Sequence, residues 1–283
     1  MNETRDHFTS LLSLSDVRHS YNDNLAVKRV SFEVPEHGLS SIVGPSGCGK
    51  STLLRICSGL MTPTAGGVRF GDEPVNGVPV GLAMVLQDYS RSLFPWLRVG
   101  GNVEFPIRRL PKAERTSRMH ASLEAVGLAD KSRHYPWQLS GGMQQRVAIA
   151  RALAFRPRML LMDEPFASVD AQTRAELEDL LLTLQRELKI TVLVVTHDID
   201  ESIYLADRVI VLSPPPSVVT RIVDVDLPSP RDQLRTKADP EFQRIRAKVT
   251  QLLKDDAGAT GSVATPLHAT SSNNLPTSPS ADW

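Results

Sequence analysis

One eight-residue run constrains the fold of this chain more than any other feature of its sequence. Residues 44–51 read Gly-Pro-Ser-Gly-Cys-Gly-Lys-Ser and match the pattern G-x-x-x-x-G-K-[ST] at every fixed position. The run follows a predicted strand, Ser40–Val43, and opens a predicted helix, Ser51–Ser58. In such a unit the backbone N–H groups of the loop and the positive end of the helix face one point, which suits phosphate. The sequence therefore predicts an α/β protein with a phosphate-binding loop.

Two side chains of this loop carry chemistry. Lys50 is expected to reach the β- and γ-phosphates of a nucleotide, and the Ser51 hydroxyl is expected to bind Mg²⁺. A glycine-rich turn with a chance lysine is the alternative, and the flanking strand and helix argue against it. The predicted phosphate-binding residues are Gly44, Pro45, Ser46, Gly47, Cys48, Gly49, Lys50, Ser51 and Thr52.

Short, β-branched apolar runs predict further strands, and several of them lack alternation, which is typical of strands covered on both faces. Between the strands, Arg174–Leu188 places leucines three and four residues apart, which predicts a helix with one apolar face. Residues 112–154 show helical patterns with little strand signal. Apolar residues between Phe242 and Leu253 fit one face of a final helix. The alternation of strands and helices predicts an α/β fold. The predicted strands are Leu11–His19, Arg29–Val34, Leu39–Val43, Leu82–Leu86, Met159–Met162, Thr191–Thr196, Val209–Leu212 and a late one within Val218–Leu227.

Two adjacent carboxylates end one of these strands. The apolar run Met159–Met162 leads directly into Asp163 and Glu164, so the acids are expected at the carboxyl edge of the sheet, where open α/β folds bind ligands. Asp163 is expected to hold Mg²⁺, and Glu164 to orient or deprotonate an attacking water. An Asp-Glu pair alone also occurs as a solvated loop, but here it shares a chain with the phosphate loop.

A second glycine-rich helix start lies at Leu139–Arg146, which reads Leu-Ser-Gly-Gly-Met-Gln-Gln-Arg. Ser140 is expected to cap the helix Val147–Ala154, and Gly141 and Gly142 allow close backbone approach. A simple helix cap is one reading, and a second phosphate site is the other. One ATP does not need two such sites from one chain, whereas two chains arranged head to tail would supply one of each to every ATP.

Taken in order, Gly44–Ser51, Leu139–Arg146, Met159–Pro165 and His197 resemble an ABC transporter ATP-binding subunit, over about residues 11–255. The resemblance implies a P-loop NTPase fold: a RecA-like core sheet, an antiparallel β subdomain, and a helical subdomain at about residues 95–155. It also implies ATP hydrolysis, the cofactors ATP and Mg²⁺, a homodimer of ATP-binding subunits, an integral membrane permease and, indirectly, a solute-binding protein. The expected location is the cytoplasmic side of the cell membrane, as a peripheral subunit.

The resemblance assigns roles to further residues. Tyr21 resembles the aromatic residue that stacks on adenine, and an ordinary tyrosine at a strand end is the alternative. Gln87 resembles the glutamine of the Q-loop, which senses Mg²⁺ as a ligand and links the site to the membrane subunit. Asp170 lies in a segment, Ser168–Asp170, that resembles the D-loop at the dimer interface, although Val169 stands where leucine is usual. His197 resembles the switch histidine that contacts the γ-phosphate. With these, the predicted catalytic residues are Glu164, His197, Lys50 and Gln87.

Three segments narrow the resemblance to the nitrate, sulfonate and taurine importer branch: Ser92–Val99, Ser168–Arg174 and Asp226–Arg231. Two departures from that branch are Gly100-Gly101, where the glycines are expected to loosen a helix start, and His37, where glutamate is usual. The transported solute is expected to be a sulfonate, taurine or nitrate, and a thiamin or pyrimidine precursor is the alternative.

Composition excludes several other classes of function. The chain has 283 residues with 32 Lys+Arg and 32 Asp+Glu, so no global basic field exists to hold nucleic acid, and no nucleic-acid partner is expected. The longest apolar run has five residues, Leu82–Leu86, and a spanning helix needs about 20. The N-terminus lacks the apolar core of a signal peptide, and two cysteines, Cys48 and Cys57, are too few for a disulfide framework.

Composition changes again at the end of the chain. Of the 28 residues from 256 to 283, 16 are Gly, Ser, Thr, Pro or Asn and none is Lys or Arg, which predicts a disordered tail after a folded part of residues 1–255. A docking peptide ending in Trp283 is the alternative reading of this tail.

Two other functions remain open at this point. A non-transport ABC ATPase is one, and genes for a permease and a solute-binding protein beside this one would argue against it. A P-loop kinase is the other, and it would share only Gly44–Ser51. Ser140→Arg would leave such a kinase active but would abolish the activity of an ABC ATPase.

Overall fold

A computed structural model describes residues 9–88 and 92–260 of the chain. Within them, one ten-stranded sheet has the strand order β5-β4-β1-β2-β10-β9-β3-β8-β7-β6. The strands are β1 (Ser10–Tyr21), β2 (Asn24–Pro35), β3 (Leu39–Val43), β4 (Ala65–Phe70), β5 (Glu73–Pro74), β6 (Leu82–Val85), β7 (Met159–Asp163), β8 (Thr191–Thr196), β9 (Arg208–Leu212) and β10 (Ser217–Asp224).

The sheet has a parallel part and an antiparallel part. Strands β9, β3, β8, β7 and β6 pair in parallel with one another, while β9 pairs antiparallel with β10 on its other side. Every residue of β3, β7 and β8 is buried. This burial matches the uninterrupted apolar runs of their sequences, because helices cover both faces of a parallel sheet. Strands β2, β1, β4 and β5 pair antiparallel and continue the sheet from its other side through β10.

Eight α-helices lie among the described residues, together with short 3₁₀ turns. Three of them, α2 to α4, lie between β6 and β7 and pack against one another. The helices are α1 (Lys50–Cys57), α2 (Val99–Glu104), α3 (Lys112–Ala125), α4 (Gly141–Ala154), α5 (Ala171–Leu188), α6 (Ile199–Leu205), α7 (Arg235–Ala238) and α8 (Pro240–Thr260). None of them, in residues 9–88 and 92–260, combines the length and the apolar character that a membrane span requires.

The predicted α/β fold is confirmed, and each predicted strand has a counterpart. The late strand is shorter than predicted and ends at Asp224. The sequence missed β4 and β5, whose few apolar residues gave no strand signal. Leu188, predicted on the apolar face of α5, is instead 49% exposed, because the helix ends there and Lys189 turns away in the left-handed conformation.

The paired glycines, which are predicted to loosen a helix start, lie in the first turn of α2. The helix begins at Val99, and the N–H of Gly100 donates to the carbonyl of Ser132 at 2.9 Å. A Cβ atom at Gly100 would lie 3.2 Å from that oxygen, so a small residue allows this close approach. At the other end of the chain, α8 continues through the predicted boundary at 255 to Thr260, and residues 261–283 of the predicted tail lie outside the described residues.

Candidate functional site

The glycine-rich loop joins β3 to α1 at the carboxyl edge of the parallel strands, as the sequence predicts. Gly47 and Gly49 adopt positive φ angles of 77° and 90°, a conformation that favours glycine because it has no Cβ atom. A Cβ atom at Gly44 would lie 2.7 Å from Sγ of Cys48 and 3.2 Å from the carbonyl oxygen of Leu212. The backbone of the loop is therefore closely packed at Gly44, whereas the space beside Gly47 is open.

Lys50 and Ser51 lie where a phosphate chain would meet the sheet edge. The Lys50 ammonium donates to the carbonyl oxygens of Gly44 and Pro45, at 2.9 and 3.1 Å. The Ser51 hydroxyl donates to Oδ1 of Asp163 at 3.2 Å. Burial raises the pKa of the Asp163 carboxyl, the nearby Glu164 carboxylate adds to that effect, and the Ser51 hydroxyl opposes it.

The oxygen donors of this edge fit Mg²⁺. The hydroxyl of Ser51 and the carboxylate of Asp163 are hard ligands, and Mg²⁺ is usually held by one or two such groups together with water and phosphate oxygens. Among residues 9–88 and 92–260, no cluster of three or more His, Cys, Asp or Glu side chains is arranged to hold a metal ion by itself. An ion here would therefore depend on the bound nucleotide for part of its coordination.

Glu164 joins three separate loops at the same edge. Its Oε2 accepts a hydrogen bond from Nε2 of Gln87 at 3.0 Å and lies 3.2 Å from Nδ1 of His197. Its backbone N–H donates to the carbonyl of Val195 at 2.8 Å, and its φ of 42° is left-handed. A left-handed residue other than glycine stores roughly 1 kcal/mol of strain, which the surrounding contacts must offset.

Tyr21 lies at the end of β1, beside the helix that follows the phosphate loop. Its hydroxyl is 3.0 Å from Oγ1 of Thr52, and its ring meets His19 edge-on at 4.8 Å. The side chain is 43% exposed. An aromatic face is therefore open close to the predicted phosphate-binding residues.

Ser140 caps the second glycine-rich helix start as predicted, but the helix begins at Gly141 and not at the predicted Val147. Oγ of Ser140 accepts from the N–H of Met143 at 3.4 Å, at the first turn of α4. Ser140 and Gly141 are exposed, whereas Gly142 is buried. Asp170 caps α5 in the same way, through the N–H of Thr173 at 3.0 Å, and this bond lowers the pKa of its carboxyl.

The structure thus brings one group of the predicted residues together, whereas Ser140 and Asp170 lie outside it. Lys50, Ser51 and Asp163 meet at one end of the group, and Gln87, Glu164 and His197 at the other. In the part of the chain that the structure describes, the side chains of Ser140 and Asp170 are not hydrogen-bonded to that group.

Sequence reasoning missed one ion pair behind His197. Arg174 of α5 donates to Oδ2 of Asp198 at 3.1 Å, and Oδ1 of Asp198 caps α6 through the N–H of Glu201. The spacing of Asp198 and Glu201 has the form of a helix N-terminus with an acid three residues after the cap, so the sequence held a signal for the cap but none for the ion pair. The pair fixes the loop of His197 to α5.

Comparisons with known proteins agree with this geometry. Residues 27–167 match the family model described as "ABC transporter". An uncharacterized ABC transporter ATP-binding protein of Methanocaldococcus jannaschii is 45% identical over 233 residues, which are 82% of this chain and 85% of that protein. This chain belongs to the ABC transporter family. The predicted resemblance is confirmed.

Two further ABC proteins support the assignment. The nitrate transport protein NasD of Klebsiella oxytoca is 39% identical over 235 residues, 81% of this chain and 89% of that protein. Among solved structures, a dimeric ATP-binding cassette in a post-hydrolysis state bound to ADP and Pi is 34% identical, with a TM-score of 0.67 over 76% of this chain and 98% of that one. The present chain is an ATP-binding subunit and an ATPase of this family, and its similarity to the nitrate branch is confirmed at the level of sequence.

Proposed function

We propose that two copies of this ABC ATPase bind two ATP molecules head to tail and drive a separate membrane permease that imports a small solute. The observation that carries the proposal is the presence of two glycine-rich helix starts on one chain. The loop before α1 has a lysine and carboxylates around it, whereas the start of α4 is exposed at Ser140 and Gly141. A second copy turned head to tail would bring its own Ser140 to the phosphates held at Lys50.

Each residue of the group then has a task in hydrolysis. Lys50 exchanges its carbonyl partners for the β- and γ-phosphate oxygens, and the partner's Ser140 and helix dipole add donors to the γ-phosphate as charge develops there. Glu164 orients a water for in-line attack on the γ-phosphorus and accepts its proton, while the bond from phosphorus to the β-phosphate oxygen breaks to leave ADP and phosphate. Gln87 and His197 hold the Glu164 carboxylate from two sides. Mg²⁺ at Ser51, Asp163 and Gln87 would neutralise charge on the phosphates.

Glu164→Gln tests the dimer and the role of Glu164 together. The glutamine has nearly the same shape but cannot accept the proton, so the variant should bind ATP and accumulate as a dimer that light scattering after gel filtration would detect. Lys50→Ala is the matched control, because it should lose ATP binding and remain monomeric with ATP. A Glu164→Gln variant that stayed monomeric and fully active would contradict the mechanism.

The surface proposed for the permease lies along β6, the strand that leads to Gln87. A groove of about 380 Å³ is lined by Phe94, Phe105 and Phe155 together with Arg151, and the rings of Phe94 and Phe105 are 4.5 Å apart. Burial lowers the pKa of Arg151, and its guanidinium donates to the backbone of Ser92. A cytoplasmic helix of the permease would seat its apolar face in this groove, which would hold the ATPase at the membrane as a peripheral subunit on that side.

The solute is proposed from the relatives and the sequence branch together. Nitrate is the first candidate, since NasD is a nitrate transport protein, and aliphatic sulfonates or taurine follow from the resemblance of Ser92–Val99. A solute-binding protein would deliver it to the permease. Growth of a deletion strain on a panel of nitrate, taurine, sulfonates and thiamin or pyrimidine precursors tests this, because loss of growth on one source alone identifies the solute.

A further inference from the structure

The buried glycine at the start of α4 is packed directly against one residue of α5. A methyl group added at Gly142 would overlap Cγ2 of Thr173, and the two next nearest atoms, Cβ and Oγ1 at 3.7 and 3.8 Å, also belong to Thr173. The α-carbon of Gly142 therefore rests on the methyl group of this threonine. No side chain larger than hydrogen fits between the two helices at this point.

The other branch of Thr173 is held by the residue that caps α5. Its hydroxyl donates to Oδ2 of Asp170 at 2.7 Å, while its backbone N–H donates to Oδ1 of the same carboxylate at 3.0 Å. A β-branched side chain has few χ1 rotamers in a helix. Rotation that moved the methyl group away from Gly142 would break the hydroxyl bond to Asp170. The position of Gly142 and the conformation of Asp170 are therefore coupled through one side chain.

A second link between the same helices is weaker. Arg146, one turn after Gly142, lies 3.6 Å from Oε2 of Glu176, whose side chain is 55% exposed, and it donates to the carbonyl of Val126 at 3.1 Å. An exposed ion pair at this distance contributes at most about 1 kcal/mol. The ion pair keeps α4 beside α5, but the steric contact at Thr173 sets how closely their first turns approach.

We propose that Thr173 is a positioning residue of the ATPase, which fixes the Gly142 end of α4 to Asp170 so that both loops meet a partner subunit as one unit. This inference rests on the proposed head-to-tail dimer, in which Ser140–Gly142 and Asp170 both lie at the interface. Among the described residues, the hydrogen bonds of Thr173 go to Asp170 and the atoms packed on Gly142 belong to Thr173, so the effect of Thr173 is expected on closure of the dimer and on turnover.

A compensating pair of substitutions tests the inference. Gly142→Ala should reduce kcat about tenfold or more, because the added methyl group either separates the helices or rotates Thr173 away from Asp170. Thr173→Ser removes only the obstructing methyl group and keeps the hydroxyl bond, so Gly142→Ala with Thr173→Ser should recover to within about threefold of the parent enzyme. Thr173→Val keeps a methyl group and loses the hydroxyl, so Gly142→Ala with Thr173→Val should not recover. The Thr173→Ser and Thr173→Val single variants are the matched controls.

Further measurements separate positioning from folding and from the proposed function itself. The ATP affinity and the thermal midpoint of the monomer should be unchanged in Thr173→Val, while its kcat falls. The same substitutions are then placed in the Glu164→Gln background and ATP-dependent dimers are measured. If Glu164→Gln alone forms no dimer, the proposed function fails. If it does form a dimer, and Gly142→Ala lowers dimer formation equally with Thr and with Ser at position 173, the proposed role of Thr173 is wrong.

Discussion

At the scale of single residues, Glu164 shows how the site combines strain with fixed contacts. Its left-handed backbone turns the side chain away from the end of β7, where Asp163 still belongs to the strand. The two neighbouring acids therefore serve different ends of the site, with Asp163 on Ser51 and Glu164 between Gln87 and His197. The sequence predicted both acids and their edge of the sheet, but the turn that separates them depends on the hydrogen bond to Val195 in another strand.

Tyr21 gives a prediction at this scale. If its exposed ring stacks on adenine, Tyr21→Ala should weaken ATP binding about tenfold, since base stacking on an aromatic ring contributes roughly 1–3 kcal/mol. Tyr21→Phe keeps the ring and loses only the exposed contacts of the hydroxyl with Thr52 and the sulfur of Met61, so its affinity should stay within about twofold of the parent. Calorimetry with ATP and with inorganic triphosphate checks this, because only ATP has a base. Equal losses for both ligands would contradict stacking.

The cysteines give a second prediction. Cys48 and Cys57 are both 0% exposed. Burial raises the pKa of both thiols, that of Cys57 to about 12, and the thiolate is the reactive form. A chromogenic disulfide reagent should therefore label neither residue at neutral pH in the native protein and both in denaturant. Rapid labelling of the native protein would contradict this assignment.

At the scale of elements, two acidic side chains are buried where α5 and α6 pack behind the loop of His197. Glu178 of α5 is 2% exposed and Glu201 of α6 is 3% exposed, and Oε1 of Glu201 has no hydrogen-bond partner among the residues that the structure describes. Burial raises the pKa of Glu201 to about 8, Glu178 and Asp198 add to the effect, and Thr196 and Arg174 oppose it. Glu201 is therefore protonated in the folded protein at neutral pH.

This carboxyl group makes stability depend on pH. Because its folded-state pKa of about 8 lies above the ordinary value of 4.5, its stabilisation is complete below pH 4.5 and is lost as pH rises towards 8. Glu201→Gln is neutral throughout, so its unfolding free energy should fall less with pH than that of the parent, by about 2 kcal/mol over two pH units. Urea titrations at several pH values measure the difference. Parallel curves for the two proteins would show that Glu201 is ionised in the fold.

The sequence predicted elements better than their contacts. Buried strands such as Thr191–Thr196 have a sequence pattern that is itself the cause of their burial, so they could be located. Strand β4 could not be located, because it forms by antiparallel pairing with the distant strand β1 and only two of its residues, Val68 and Phe70, are buried. The burial of Glu178 and the contact of Thr173 with Gly142 also depend on how helices pack, which no periodicity within one helix records.

At the scale of the whole molecule, the formal net charge of zero is compatible with local groups that attract a charged nucleotide. The chain carries equal numbers of acidic and basic residues, so a nucleotide with several negative charges must be held by local groups. In the site proposed above, the backbone N–H groups of residues 44–51, the buried Lys50 and the N-terminus of α1 would provide that attraction, and the carboxylates of Asp163 and Glu164 would act on the metal and the water. Among the described residues, four of the five large exposed aromatic side chains lie in the segment between β6 and β7: Trp96, Phe105, Trp137 and Phe155.

Trp96 tests that surface. It is 71% exposed and its ring lies 5.4 Å from that of Phe94 in the groove proposed for the permease. Trp96→Ala should therefore leave the thermal midpoint within about 2 °C and ATP-dependent dimerisation intact, because little buried area is lost. It should reduce co-purification with the permease and solute uptake about tenfold, since exposed aromatic side chains are common energetic centres of interfaces. Leu234→Ala is the matched control: Leu234 is 83% exposed but lies just before α7, outside the segment from β6 to β7. Loss of uptake in both variants, or in neither, would place the permease elsewhere on the molecule.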